Sequence, residues 1–217
     1  ESAYMELRKL FETYREHEEI FGETSRLINE AKNSYPFHPH YLNVIWLIAD
    51  KVTGQRTRSI MKISRIVIRR LITSAKENPA LIMSWHIDPK ELNLYGLLFL
   101  GSYGVYQRIY EQDILKKAKN LAEKGDLAYI IALSIFLKTY PYDSLIVQRV
   151  FPDEQEIAIT AYEPIFFKRR GYVPQDIINV LRALKREAGI HHLHDKDGKY
   201  WFSRVATVKE WIENEAK

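Results

Sequence analysis

The chain has 217 residues, 46% hydrophobic and 28% charged, with a formal net charge of +4. It holds no cysteine, which excludes disulfides and thiolate metal sites. No run of 18 uncharged apolar residues occurs, which argues against a membrane-spanning helix, so no membrane partner and a cytoplasmic location are expected.

From about Ser2 to Lys32 the pattern is helical. Leu7, Leu10, Phe11 and Tyr14 mark one face, and Glu12, Glu16, Glu18 and Glu19 fill the remainder. Gly22 is expected to break the run, with Thr24 or Ser25 capping a second helix through Leu27, Ile28 and Ala31. Pro36 and Pro39 then hold the backbone extended. Tyr41-Leu42 and the run from Val44 to Ala49 suffice for a three-turn buried helix, which Gly54 interrupts.

Gln55-Arg56-Thr57-Arg58 opens an amphipathic helix. Ile60, Ile63, Val67 and Leu71 form its apolar stripe, and Arg58, Lys62, Arg65 and Arg69 form a basic one. Eight basic residues and no acidic one lie between Lys51 and Lys76, so the positive field is concentrated here. The pattern reads either as a phosphate-binding surface or as a solvated face offset by the Glu-rich first thirty residues.

Asn78-Pro79 is expected to end that helix, and Asp88-Pro89 to open the next with proline in its first turn. Tyr103 to Glu123 reads as helix. Asp126 is expected to cap another, in which Leu127, Ile130, Ile131, Leu133, Ser134 and Leu137 predict burial on most sides, and Pro141 ends it. One helix is expected from Glu154 to about Phe167, and another after Pro174 with Ile177, Ile178, Leu181 and Leu184 on its apolar face. Two β-type runs, beginning at Ile190 and at Tyr200, flank a turn at Asp197-Gly198 and read as a hairpin. A last helix from Val208 to Glu215 would pack through Trp211.

Helices followed by a hairpin is the order of a winged helix. Gln175, Asn179, Arg182, Lys185 and Arg186 would line its polar helix face, with Lys196 and Lys199 at the wing tip, groups suited to phosphate and groove contacts. From Phe151 onward there are eleven basic and eleven acidic residues, Asp176, Glu187, Asp195 and Asp197 among them. A protein-contact role therefore stands beside nucleic-acid binding.

Tyr35-Pro36-Phe37-His38-Pro39, the apolar helix after it and the Gln55-Arg56-Thr57-Arg58 helix start together resemble a family. It is that of the large archaeal and bacterial AAA+-like ATPases long carried as a domain of unknown function, relatives of PglY-type phage-exclusion components. The likeness continues to Gly198-Lys199-Tyr200-Trp201-Phe202-Ser203 and so covers most of the chain. In that family the pattern follows the nucleotide-binding core, where such an ATPase carries its helical lid.

The resemblance implies a mostly α fold: an N-terminal helical segment from a missing core (1–34), a helical lid-like domain (35–150) and a winged-helix-like domain (151–217). It implies that Arg56 or Arg58 senses nucleotide, and that Pro36, Phe37 and Pro39 form a hinge or an adenine-facing wall. ATP and Mg2+ would belong to the intact parent. The partners would be the N-terminal ATPase core and either DNA or a defence-system protein. The plainer alternatives are that one or both arginines pair with carboxylates such as Asp50, and that the prolines form only a linker.

No stretch matches GxxxxGK[ST], so this chain by itself is not expected to hydrolyse ATP, and no catalytic residue is assigned. It opens Glu1-Ser2-Ala3-Tyr4 without methionine, as an excised piece would. Of His38, His40, His191, His192 and His194, two would share a strand face, but no third ligand is evident and no metal site is expected. Two other functions remain open: a free-standing winged-helix DNA-binding regulator and a structural protein–protein adaptor.

Overall fold

The computed structural model describes residues 2–74, 78–121, 123–186 and 189–207. Three helices open the chain: α1 (Ser2–Glu16), α2 (Glu18–Phe21) and α3 (Ser25–Ser34). Gly22 separates α2 from α3 at φ +68°, a backbone state that only glycine adopts without strain. After it, α4 (Pro39–Leu47) starts with proline in its first turn. His38 caps it, with Nδ1 accepting the His40 N–H at 3.2 Å.

The helix does not stop at Leu47. It widens into a π-wound segment, Ile48–Thr53, and ends where Gly54 takes the left-handed conformation. The amphipathic helix then forms as α5 (Arg56–Thr73), burying Ser59, Ile63, Val67 and Leu71 at uniform four-residue spacing.

The helix expected after Asp88-Pro89 does not form. Asp88 Oδ1 instead accepts the N–H groups of Lys90 and Glu91 at 3.0 and 2.9 Å, closing a turn that Asn93 leaves at φ +51°. A four-residue helix, α6 (Tyr95–Leu98), follows. The stretch from Tyr103 is helical as expected, but it changes winding along its length. It runs through α7 (Gly104–Ile109), a π segment Tyr110–Lys117 and a 3₁₀ turn Ala118–Asn120.

α8 (Gly125–Thr139) forms the centre, with eleven of its fifteen residues buried. Lys124, not Asp126, stands at its cap position, because the helix begins at Gly125, two residues before the start that an Asp126 cap would set. There the backbone passes so close to the preceding turn that an added Cβ would lie 2.1 Å from the Lys119 carbonyl oxygen. Gly125→Ala is therefore expected to cost about 1–3 kcal/mol through overpacking. Thermal melting checks this, since each kcal/mol lowers the midpoint by roughly 2–4 °C in a chain of this size.

The C-terminal part comprises α9 (Glu154–Ala161), α10 (Pro164–Arg170), α11 (Gln175–Arg186), β1 (Leu193–Lys196) and β2 (Lys199–Phe202). The single helix expected from Glu154 to Phe167 is thus two. Pro164 has no N–H to continue the ladder, and Glu163 leaves the helical conformation to cap α10, its Oε2 accepting the Phe166 N–H at 2.8 Å. The hairpin forms as expected, antiparallel, with Asp197 and Gly198 at φ +53° and +73°. β1 begins at Leu193, three residues later than the expected run. The helix expected over 208–215 lies outside the described residues. The described chain is mostly helical with a small two-stranded sheet, and no helix in it is long and apolar enough to cross a membrane.

α8 packs against α9, α11 and β2. Phe136 sits at the middle of this packing. It stacks on Tyr140 at 4.8 Å, meets Phe202 edge-on at 5.6 Å, and lies 6.2, 6.1 and 6.2 Å from Phe99, Tyr106 and Tyr110. One buried cluster takes in Leu10 and Phe21 near the N-terminus, Ile63 and Phe136 in the middle, and Leu181 and Phe202 near the C-terminus.

Candidate functional site

Two of the expected site residues sit where the π segment hands over to α5. Gln55 precedes α5 without a side-chain cap bond. Arg56 folds back onto the previous helix: its Nε donates to Asp50 Oδ1 at 2.6 Å and its guanidinium lies 5.6 Å over the Trp46 ring. This is the local pairing that the sequence left open as the plainer alternative.

Arg58 is exposed and, with Lys62, Arg65 and Arg69, makes no ion pair among the described residues. Met61 and Ile72 lie on the same outer face, 69% and 77% exposed. Arginines in the first turn of a helix oppose its dipole, so an anion beside Arg58 would relieve an unfavourable arrangement.

Pro36, Phe37 and Pro39 are held in place from a neighbouring segment. Ile82 donates its N–H to the Pro36 carbonyl at 2.8 Å and accepts the His38 N–H at 3.0 Å. Phe37 stacks on Tyr41 at 4.8 Å, and Pro39 is buried.

Seven polar residues were expected on α11 and the hairpin. Gln175, Asn179, Arg182 and Arg186 are exposed along one stripe, and Lys196 is exposed beside the turn. The other two are engaged locally. Lys185 donates to Asp195 at 2.5 Å and lies 5.4 Å from the Tyr200 ring centre, while Lys199 donates to Asp153 at 2.9 Å.

The histidines serve the fold. Burial drives His38 down to about 3, so its ring is neutral. His194 donates from Nε2 to the Val205 carbonyl at 2.7 Å and stacks on Trp201. The His191 carbonyl accepts the Thr207 N–H at 2.6 Å. Among the described residues no group of three or more His, Asp or Glu side chains is placed to hold a metal.

His192 has a partner that sequence reasoning missed. Asp113, buried in the second π segment, accepts the His192 N–H at 3.0 Å, faces its Nδ1 at 2.8 Å and meets Lys117 Nζ at 3.1 Å. Burial pushes the Asp113 carboxyl up, but the two His192 donors and the Lys117 charge outweigh it and leave it below the usual carboxylate value.

A polar cleft of about 250 Å3, also missed, lies between the end of α5, the start of α8 and α10. Four of its charges form ion pairs, Arg70 with Glu91 and Arg170 with Asp126 at 2.8 Å, while Lys119 lies 5.5 Å over the Tyr129 ring. Tyr129 donates to Asp88 Oδ2 at 2.6 Å. Glu163 lines the cleft, Oε1 accepting the Ala80 N–H at 2.8 Å; burial raises its pKa despite that bond.

Comparison with known proteins gives one result. No curated protein and no solved structure matches the chain. A family model described as the DUF499 second domain matches residues 1–202, which takes in the prolines, α5, α8, the buried Asp113 and the hairpin. The chain therefore belongs to the DUF499 second-domain family, a domain of unknown function.

Proposed function

We propose that this domain is the regulatory module of a larger AAA+-like ATPase, sensing nucleotide through Arg58 and relaying the state through its C-terminal part. The observation that carries this reading is the outer face of α5. Four cations unpaired among the described residues flank two largely exposed apolar side chains, a composition that suits an interface better than a solvated helix face. A neighbouring ATPase core holding ATP and Mg2+ would supply both the apolar contact and the phosphate charge. The family's description as a second domain supports such a neighbour. Arg56, tied to Asp50, would fix the turn from which Arg58 reaches out.

The test is made in the full-length protein. Arg58→Ala removes a charge-assisted contact worth about 1.5–3 kcal/mol. Turnover or nucleotide affinity is then expected to fall roughly ten- to hundredfold. Arg58→Lys restores the charge without the planar fork, so it rescues only partly. Arg56→Ala is expected to cost about 1 kcal/mol of stability or less and to leave turnover near the parental value. ATP hydrolysis at the parental rate in Arg58→Ala would rule out the sensor role.

A second reading rests on the exposed stripe of Gln175, Asn179, Arg182 and Arg186 beside Lys196. α9, α10, α11 and the hairpin follow the winged-helix order, and that stripe lies on the helix such a fold presents to DNA. DNA affinity falling steeply with salt would support it, whereas salt-insensitive association with a protein would favour the adaptor.

A further inference from the structure

A second cavity, of about 220 Å3, opens between α4, the turn at Ser84, α8 and α9. At ~30 Å3 each it has room for about seven water molecules. Trp46 and Tyr142 supply aromatic walls, while Asn43 and Ser134 bring an amide and a hydroxyl. Ser134 lies on α8 and is only 4% exposed, yet its Oγ has no hydrogen-bond partner among the described residues. A buried hydroxyl left unpaired is costly, and this one stands on a helix whose other buried residues are almost all apolar. Thr160, across the cavity, spends its own proton on the Ile157 carbonyl at 3.1 Å and is left as an acceptor.

The charges at this cavity cancel. Lys138, one turn after Ser134, is ion-paired with Glu156, whose Oε1 also stands 3.5 Å from His40 Nδ1. Burial, aided by the nearby His38 and Lys138, holds His40 well below its ordinary value, so its ring is neutral. Burial lowers Lys138 to about 8, helped by Lys199 and opposed by Asp153, which leaves it protonated at neutral pH. An anion would have to displace Glu156 from Lys138, and a cation would meet the Lys138 ammonium in the cavity wall.

We infer that this cavity binds an uncharged planar heterocycle of one or two rings, packed against Trp46 and Tyr142 and hydrogen-bonded by Ser134 and Asn43. Flat apolar faces suit the aromatic walls. A donor at Ser134, an acceptor at Thr160 and both at Asn43 select a ring edge that carries donors and acceptors side by side, as pyrimidines and purines do. Arg56 lies against the Trp46 ring, and Lys51 lies 5.8 Å from the Tyr142 ring centre. The ligand is therefore either a free base or a nucleotide whose phosphate stays outside, near those cations. The site lies wholly within this chain and does not depend on Arg58 reading nucleotide.

The experiment is calorimetric and ligand-observed NMR titration of the chain with uracil, adenine and adenosine 5′-monophosphate. At least one of the three is expected to bind. Asn43→Ala, at an exposed position that leaves the fold intact, is expected to weaken binding about tenfold, the size of one hydrogen bond. Ser134→Leu fills the cavity and is expected to abolish binding. Tighter binding of the monophosphate, with the gain lost in Arg56→Ala or Lys51→Ala, identifies a nucleotide; equal affinities identify the base. No saturable binding of any probe at millimolar concentration overturns the site, as does binding that Asn43→Ala and Ser134→Leu both leave unchanged.

Discussion

Phe136→Ala is expected to lower stability by about 3–5 kcal/mol, the range for removing a fully buried phenyl ring. The ring touches aromatic residues on three separate parts of the chain: Phe99 before α7, Tyr140 after α8 and Phe202 at the end of β2. Truncation would therefore leave a cavity bordered by rigid rings that cannot collapse into it, which favours the upper part of that range. Phe136→Leu keeps most of the volume and is expected to cost less. Urea denaturation of both variants provides the measurement. A loss below about 1 kcal/mol for the alanine variant would mean that the aromatic cluster does not hold the helices and the hairpin together.

Asp113→Ala comes next, at about 3–5 kcal/mol, because it removes one side of a buried, charge-assisted network and strands the other. The orphaned groups would be the His192 N–H and ring, while Lys117 loses its ion pair but keeps its bond to the Gly189 carbonyl at 2.8 Å. Asp113→Asn keeps the shape but only one accepting oxygen, so its loss should be intermediate.

The pH dependence follows from the depressed carboxyl. A group whose folded pKa lies below its unfolded value stabilises the fold above that value, 3.8 here, and the stabilisation is lost as pH falls through the folded pKa. Parent and Asp113→Asn stabilities should therefore converge as the pH drops below about 4. Urea midpoints across that range decide it. Parallel curves would show that the carboxylate is not what ties the hairpin to the second π segment.

Helices with strong four-residue periodicity were legible before the structure: α5, α8 and α11 stand where their apolar stripes put them, and the Asp197-Gly198 turn forms the hairpin. The misses have local physical causes. Asp88-Pro89 has the chemistry of a helix start, but the carboxylate also receives the hydroxyls of Tyr110 and Tyr129, partners 22 and 41 residues away. Ile157, Ala161 and Ile165 keep helical spacing across a break that only Pro164 announces. The π winding of 48–53 and 110–117 leaves no mark in an apolar pattern read at 3.6 residues per turn.

Candidate sites were less legible than elements. The Arg56–Asp50 pair could be foreseen because its members are six residues apart. Asp113 and His192 are 79 apart, and an acid in the charged run from Glu111 to Lys117 gives no hint of so distant a partner. Ser134 offered still less, since a serine within an apolar helix reads as an ordinary small residue until the space beside it is known.

The burial of α8 on nearly every side has a consequence for how the protein is made. A ribosome completes α8 at Thr139 and reaches β2 at Lys199 about sixty residues later. At ~5–20 residues per second that interval lasts roughly 3–12 s. The surfaces that α9 and α11 cover can close during it, but the one that β2 will cover stays open on the nascent chain to the end, a place where a holdase chaperone could bind. A chain truncated shortly before Phe202 leaves that side of α8 uncovered, and is therefore expected to be a substrate for proteolysis and not a smaller working domain.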